Sequence, residues 1–190
     1  DLPKSLRYCD MLVDRELSEG CYGGVFMENS SSSTNRDHPS EYIDQRNILY
    51  PCATLEEKYL SSCYRYQSSY FSILAEYDWK KVSDMCELVP LEYREGCFMM
   101  IGSNQVGFTS DYAIMHDNCL IVAPKYLATC VRGTVGALGM RFRNEPGRML
   151  DYCSLAPASV KRECYLQVGE TEDFLRGGNR ESVVRLCAQI

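Results

Sequence analysis

No stretch of this 190-residue chain approaches the roughly 18 to 20 uninterrupted apolar residues that a membrane-crossing helix needs, so no membrane span is expected. Positive charge is scarce as well: 20 Lys and Arg stand against 26 Asp and Glu, a net charge of −6. The basic residues come singly or in twos, as at Lys80 and Lys81 or Arg141 and Arg143, and form no stripe able to neutralise a run of phosphates. That argues against nucleic acid as a partner. Histidine is nearly missing, with two copies, and G-x-S-x-G, H-E-x-x-H and a glycine-rich phosphate loop are absent. Clustered C-x2-C spacing, which zinc or an iron–sulfur cluster would want, is absent too. No cofactor, metal or catalytic residue is therefore assigned. No segment of useful length alternates apolar and polar residues as a half-buried strand would.

What the chain has is cysteine, eleven in all. They fall into pairs: Cys9 and Cys21, Cys52 and Cys63, Cys86 and Cys97, Cys119 and Cys130, Cys153 and Cys164. Ten residues separate the partners of each pair, eleven in the first, and Cys187 stands alone. Successive pairs recur every 33 to 34 residues, except that the first step is nine longer. The extra length falls in 29–40, a Ser-Asn-Asp-Pro tract that reads as an inserted loop.

Aligned on the cysteines, the copies agree in chemistry. Runs with helical apolar spacing end near the first cysteine at 79–86, 112–119, 148–153 and 180–187. An apolar residue follows three positions later (Leu12, Leu55, Val89, Val122, Ala156), and Pro90, Pro124 and Pro157 then mark a helix start. Tyr59, Tyr93, Tyr126 and Val160, with Leu17 in the first copy, stand one turn before the second cysteine and give the second helix a core stripe. Glycine-containing stretches at 144–147 and 177–179 close units. The expected fold is all-α: a right-handed α-solenoid of disulfide-stapled helical hairpins, about 34 residues per repeat. As one domain over 1–190 it would hold repeats at 1–29, 41–74, 75–108, 109–142 and 143–176, and part of another at 177–190.

Connectivity is open in principle. Pairing within each C-x10-C unit is favoured, because one cysteine lies a turn before the bend and the other about two turns after it. Each such bond would contribute on the order of 3 kcal/mol. The rival scheme joins each second cysteine to the next repeat, with 30, 22, 21, 22 and 22 residues between partners. The favoured scheme leaves Cys187 unpaired, and the array then reads as one segment of a longer repeat protein. Disulfides at this density call for an oxidising compartment: secreted, periplasmic or at the cell surface. Asn29-Ser30-Ser31 forms a glycosylation sequon in the inserted loop.

Cysteine-paired hairpins at this period resemble the Sel1-like, TPR-like cysteine-rich helical repeat proteins of bacteria, which also staple the bend between helices. The strings from Gly20 to Asn29 and from Cys63 to Gln67 are similar to segments of bacterial cysteine-repeat proteins. The chain departs from the Sel1-like pattern in the longer gap between paired cysteines and in lacking alanine- and glycine-marked helix contacts. The resemblance implies the fold, secretion and partner binding, and no chemistry.

A binding or assembly role, with a protein, peptide or glycan partner or by self-association, therefore fits best. Departures from the repeat pattern point to where. Four residues after the second cysteine, Gln67 and Thr134 replace the apolar Val25, Ile101 and Val168, and three residues further on stand Glu28 and Asn104. Glu28 with Tyr22, Asn29, Tyr64, Tyr66, Tyr70 and Gln105 forms the richest aromatic and polar neighbourhood, set against the plain alternative of tyrosines packed beside disulfides. Gly23 and Gly24, costly inside a helix, permit either close packing or a ligand approaching Gly24 beside Glu28. The alternative function is a cell-wall or glycan-directed hydrolase, in which Glu28 or His116 would meet a second catalytic group; His38 reads as a loop residue.

Overall fold

The computed structural model of the protein describes residues 1–35, 37 and 39–189. Polar side chains set where helices begin. Asp1, Asp14, Asp78, Asp111 and Asn179 each accept a hydrogen bond from a first-turn backbone N–H. They open α1 (Leu2–Cys9), α2 (Arg15–Ser31), α4 (Trp79–Cys86), α6 (Tyr112–Leu120) and α10 (Arg180–Cys187). The remaining helices are α3 (Glu57–Leu74), α5 (Arg94–Gln105), α7 (Leu127–Arg141), α8 (Gly147–Ser154) and α9 (Lys161–Leu175), and among the described residues there is no strand. The fold is all-α.

Five disulfides join Cys9–Cys21, Cys52–Cys63, Cys86–Cys97, Cys119–Cys130 and Cys153–Cys164, with Cα atoms 5.6 to 5.7 Å apart. That spacing is the ordinary one for an unstrained bridge. Every bond lies within a C-x10-C unit or its eleven-residue first copy, and Cys187 is free and exposed. Helices pack in consecutive pairs, α1 on α2, α6 on α7 and α8 on α9, and the second helices also pack on one another, α2 on α3 and α7 on α9.

Two compact units result, Asp1–Cys97 and Phe98–Ile190. In the first, Leu6, Phe26, Tyr59, Phe71 and Val82 are buried; in the second, Ile101, Met115, Val135, Leu138, Tyr152 and Val168.

Several expectations are corrected. Repeat 41–74 is no hairpin: no helix forms over 41–51, a cis Tyr50–Pro51 bond leads into a 3-10 turn at Cys52–Thr54, and only α3 follows. Gln67 holds this irregular segment, its Nε2 donating to the carbonyls of Ile48 (2.8 Å) and Tyr50 (3.0 Å). The 29–40 segment is not all loop either, since α2 runs to Ser31. Pro90 and Pro124 open 3-10 turns, Leu91–Tyr93 and Pro124–Tyr126, ahead of the second helices. At the first bend Leu12 and Leu17 are exposed, because Ser18 takes the inward position and donates to the Leu12 carbonyl (3.1 Å).

Glycine does mark helix contacts, against the expectation. A Cβ on Gly102 would lie 1.9 Å from the Cys130 carbonyl oxygen, and one on Gly133 1.9 Å from that of Met99, so α5 and α7 meet backbone to backbone.

Candidate functional site

The first unit holds a cleft of about 860 Å³ walled by α1, α2 and residues 39–42. The periodicity of α2 explains how one helix serves both core and cleft. Ser18, Tyr22, Phe26, Asn29 and Ser30 turn inward. Cys21, Gly24, Val25, Glu28 and Ser32, at helical spacing on another face, line the cleft. Asp1, which caps α1, and Leu2 and Ser5 of α1 form the opposite side, and Pro39, Ser40, Glu41 and Tyr42 the third.

Asn29 ties that third wall to the helix. Its Nδ2 donates to the Tyr42 carbonyl (3.2 Å), and its Oδ1 accepts from the Ser40 hydroxyl (2.5 Å). The Ser40 hydroxyl in turn accepts from the Tyr42 N–H (3.1 Å). The sequon asparagine is thus a buried helical residue with its amide engaged on both sides, which does not suit it as a glycan acceptor. Partial burial, and then the Glu41 carboxylate beside it, raise the pKa of the Tyr42 hydroxyl.

The two neighbouring glycines have different reasons. A Cβ on Gly23 would come within 2.9 Å of the Tyr66 ring, so this glycine serves packing; a Cβ on Gly24 would meet nothing within 4 Å. Gly24 leaves bare backbone open to the cleft, one turn from the exposed Glu28. Glu28, Glu41 and Asp1 give the cleft an acidic lining that matches cationic groups.

The other candidate residues divide. Gly24, Glu28 and Asn29 share the cleft, but Tyr22, Tyr64, Gln67, Tyr70 and Gln105 are buried and cannot form an open binding surface. Tyr22 bonds Asp10 (2.7 Å), and Tyr64 stacks on Tyr93 with ring centroids 5.4 Å apart. Among the described residues the enclosed Tyr70 hydroxyl has no hydrogen-bond partner. Tyr66 is half-buried against Gly23, and Asn104 is a half-buried residue of α5 in the second unit.

Gln105 and Thr134 form a core pair instead of a groove. Gln105 Nε2 donates to Thr134 Oγ1 (2.9 Å), and Thr134 donates to the Gly102 carbonyl (3.2 Å) or that of Cys130 (3.2 Å). His116 is a core residue as well, 5% exposed. Its ring stacks on Tyr152 at 4.1 Å, its Nε2 lies 2.9 Å from the Tyr152 carbonyl, and its Nδ1 is buried without a partner among the described residues. Burial lowers its pKa and favours the neutral imidazole. Glu28 belongs to the first unit and His116 to the second; His38 lies outside the described residues.

The cleft was half visible in the sequence, as Gly24, Glu28 and Asn29 one turn apart. Its outer wall at 39–42 was missed, because nothing in an irregular polar tract says which helix it folds onto. Compared with known proteins, the chain matches no family model, no curated relative and no solved structure.

Proposed function

We propose that this protein is an extracytoplasmic binding or assembly module that takes a cationic peptide segment of a partner protein in the cleft beside α2. Five disulfides in 190 residues support an oxidising compartment, whether secreted, periplasmic or at the cell surface. The recurring C-x10-C staples and the packing of successive second helices support a right-handed α-solenoid of the Sel1-like or TPR-like kind.

The observation that carries the binding reading is Gly24: its backbone is bare where a side chain would fit freely, and the carboxylates of Glu28 and Glu41 lie in the same cleft. Glycosidase chemistry would keep one carboxyl protonated by burial, but Glu28 and Glu41 are exposed. Binding is therefore favoured over hydrolysis.

The test is fluorescence anisotropy with a labelled Lys-Ala-Lys-Ala-Lys-Ala peptide and its Glu-for-Lys counterpart. The lysine peptide should bind, and Glu28→Lys and Gly24→Trp should each weaken it about tenfold or more with the disulfide map unchanged and the unfolding midpoint not lowered. Equal binding of both peptides, or indifference to both substitutions, removes the cleft as the site.

Self-association is the second reading. It rests on the first bend, where Tyr8, Met11, Leu12, Val13 and Leu17 are all exposed. Sedimentation equilibrium over rising protein concentration decides it, and a constant monomer mass rules it out.

A further inference from the structure

The second unit holds a separate pocket of about 240 Å³, between the segment that follows α5, the end of α7 and the start of α8. Its floor is apolar, made by the buried Val106, Met115 and Leu138. Aromatic rings of Phe108, Tyr112 and Phe142 stand around that floor, and two guanidiniums, Arg141 and Arg148, line it as well.

The two arginines are unlike. Arg148 is compensated: its Nε donates to Glu145 (2.7 Å), and its guanidinium lies 4.3 Å from the centre of the Phe142 ring. Glu145 first, and then the Tyr112 hydroxyl, raise its pKa. Arg141 lies farther from the Phe142 ring, 5.7 Å from its centre, and is pinned by a different kind of partner, the backbone carbonyl of Val106 at 2.9 Å. Among the described residues no carboxylate pairs with it, so its charge is left over.

From this we infer that the pocket binds a small aromatic carboxylate, the ring on the Met115 and Leu138 floor and the carboxylate on the Arg141 guanidinium. A planar fork of N–H donors matches a carboxylate in shape and charge. Three aromatic side chains around an apolar floor match a ring. The volume is below the ~300–1,000 Å³ of pockets for drug-sized ligands, which limits the occupant to one ring with a short acid arm. One uncompensated cation limits it to one negative charge. A free aromatic acid and the C-terminal aromatic residue of a peptide present the same groups. The site is independent of the α2 cleft, which lies in the other unit.

The test uses the whole, disulfide-intact chain, with 3-phenylpropionate and 3-phenylpropionamide as probes and the methionine methyl resonances as readout. The acid should shift the Met115 methyl signal saturably, and the amide should bind about tenfold more weakly or worse. Arg141→Ala should abolish the shift, Arg141→Lys should restore part of it, and Arg185→Ala on α10 should change nothing. Ac-Ala-Ala-Phe as free acid against its amide separates the sources: tighter binding than 3-phenylpropionate points to a peptide terminus, weaker binding to a free acid. No Met115 shift with the acid up to ~10 mM, equal affinity for acid and amide, or full binding by Arg141→Ala overturns the assignment.

Discussion

The contact of α2 with α3 in the first unit and that of α5 with α7 in the second both join second helices of consecutive repeats, yet they use different chemistry. In the first, a ring fills the gap: Tyr66 lies against Gly23, and Ser30 donates to the Tyr66 carbonyl (3.1 Å). Tyr22 meets Tyr59 edge to face at 5.0 Å, and both hydroxyls donate to Asp10. In the second, Phe98 stacks on Tyr126 with ring centroids 4.1 Å apart, and beyond that pair the backbones themselves meet: Gly102 faces the Cys130 carbonyl, Gly133 faces that of Met99, and Ser103 donates to the Gly133 carbonyl (3.1 Å). A disulfide fixes each bend whatever lies beyond it, so the surfaces between repeats are free to diverge while the cysteine period stays constant.

The comparison breaks hardest at the glycines. Gly102→Ala and Gly133→Ala each place a methyl group 1.9 Å from a backbone oxygen that has no rotamer to escape into. Each should destabilise the chain by about 3 kcal/mol or more, the upper range for overpacking. Gly23→Ala meets the edge of a tyrosine ring that is able to swing, and should cost less. Gly24→Ala meets open space, and the helix propensity of alanine should stabilise it by up to ~1 kcal/mol. Urea unfolding of the four variants with disulfides intact gives the order, and equal losses for Gly24→Ala and Gly133→Ala would sink the distinction between a packing glycine and a cleft glycine.

A second contrast sets two buried glutamines against each other, each at a place where a repeat pattern alone would accept an apolar residue. Gln67 satisfies two carbonyls of the irregular 48–50 segment, whereas Gln105 makes one good bond and leaves its Oε1 buried without a partner among the described residues. Gln67→Leu should cost about 2 kcal/mol, because two acceptors lose their donor. Gln105→Leu should stay within ~1 kcal/mol of the parent, since Thr134 keeps its backbone partners and an orphaned oxygen disappears. Thermal unfolding of both variants measures the difference, and a larger loss for Gln105→Leu would contradict it.

These cases mark what was legible in the sequence. The five bonds were, because two cysteines that flank a tight helical corner fall at bridging distance whatever the side chains between them. The missing helix of the second repeat was not: Cys52 and Cys63 keep the period with only a 3-10 turn ahead of α3. Gln67 looked like a groove residue because its partners are backbone carbonyls of that irregular segment, and backbone carbonyls leave no mark in a sequence. Gly102 and Gly133 stand at different offsets from their cysteines, five and three, so aligning the repeats does not bring them into register. A turn after α9 is signalled by Gly177 and Gly178, both at positive φ, but Glu76 and Tyr77 adopt the same backbone after α3 without any such sign.

The smallest expected effect concerns the clip that the first unit has at its first bend. Asp10 accepts from the hydroxyls of Tyr59 and Tyr22, both at 2.7 Å, and from Lys58 at 2.9 Å. The bond from Tyr59, followed by that from Tyr22, outweighs burial and holds the carboxyl pKa at about 2, against 3.8 for a free aspartate. A depressed carboxyl pKa stabilises the fold above the unfolded value, and that stability drains away as pH falls from 3.8 toward about 2. At the other end, burial and then Asp10 push the Tyr22 hydroxyl up from 10.0 to about 12, so its share is present below pH 10 and is lost as pH rises toward 12. Because Asp10 is partly open to solvent, screening should reduce its contribution to about 1 kcal/mol. Asp10→Asn should therefore flatten the pH dependence of stability between pH 3.8 and about 2 and lower stability modestly at neutral pH, whereas the parent chain should weaken across that interval. Hydrogen exchange locates the loss: amides of α2 and α3 should open earlier in the variant. If parent and variant weaken in parallel as the pH falls, the clip carries no stability and the other contacts between α2 and α3 join the first two repeats without it.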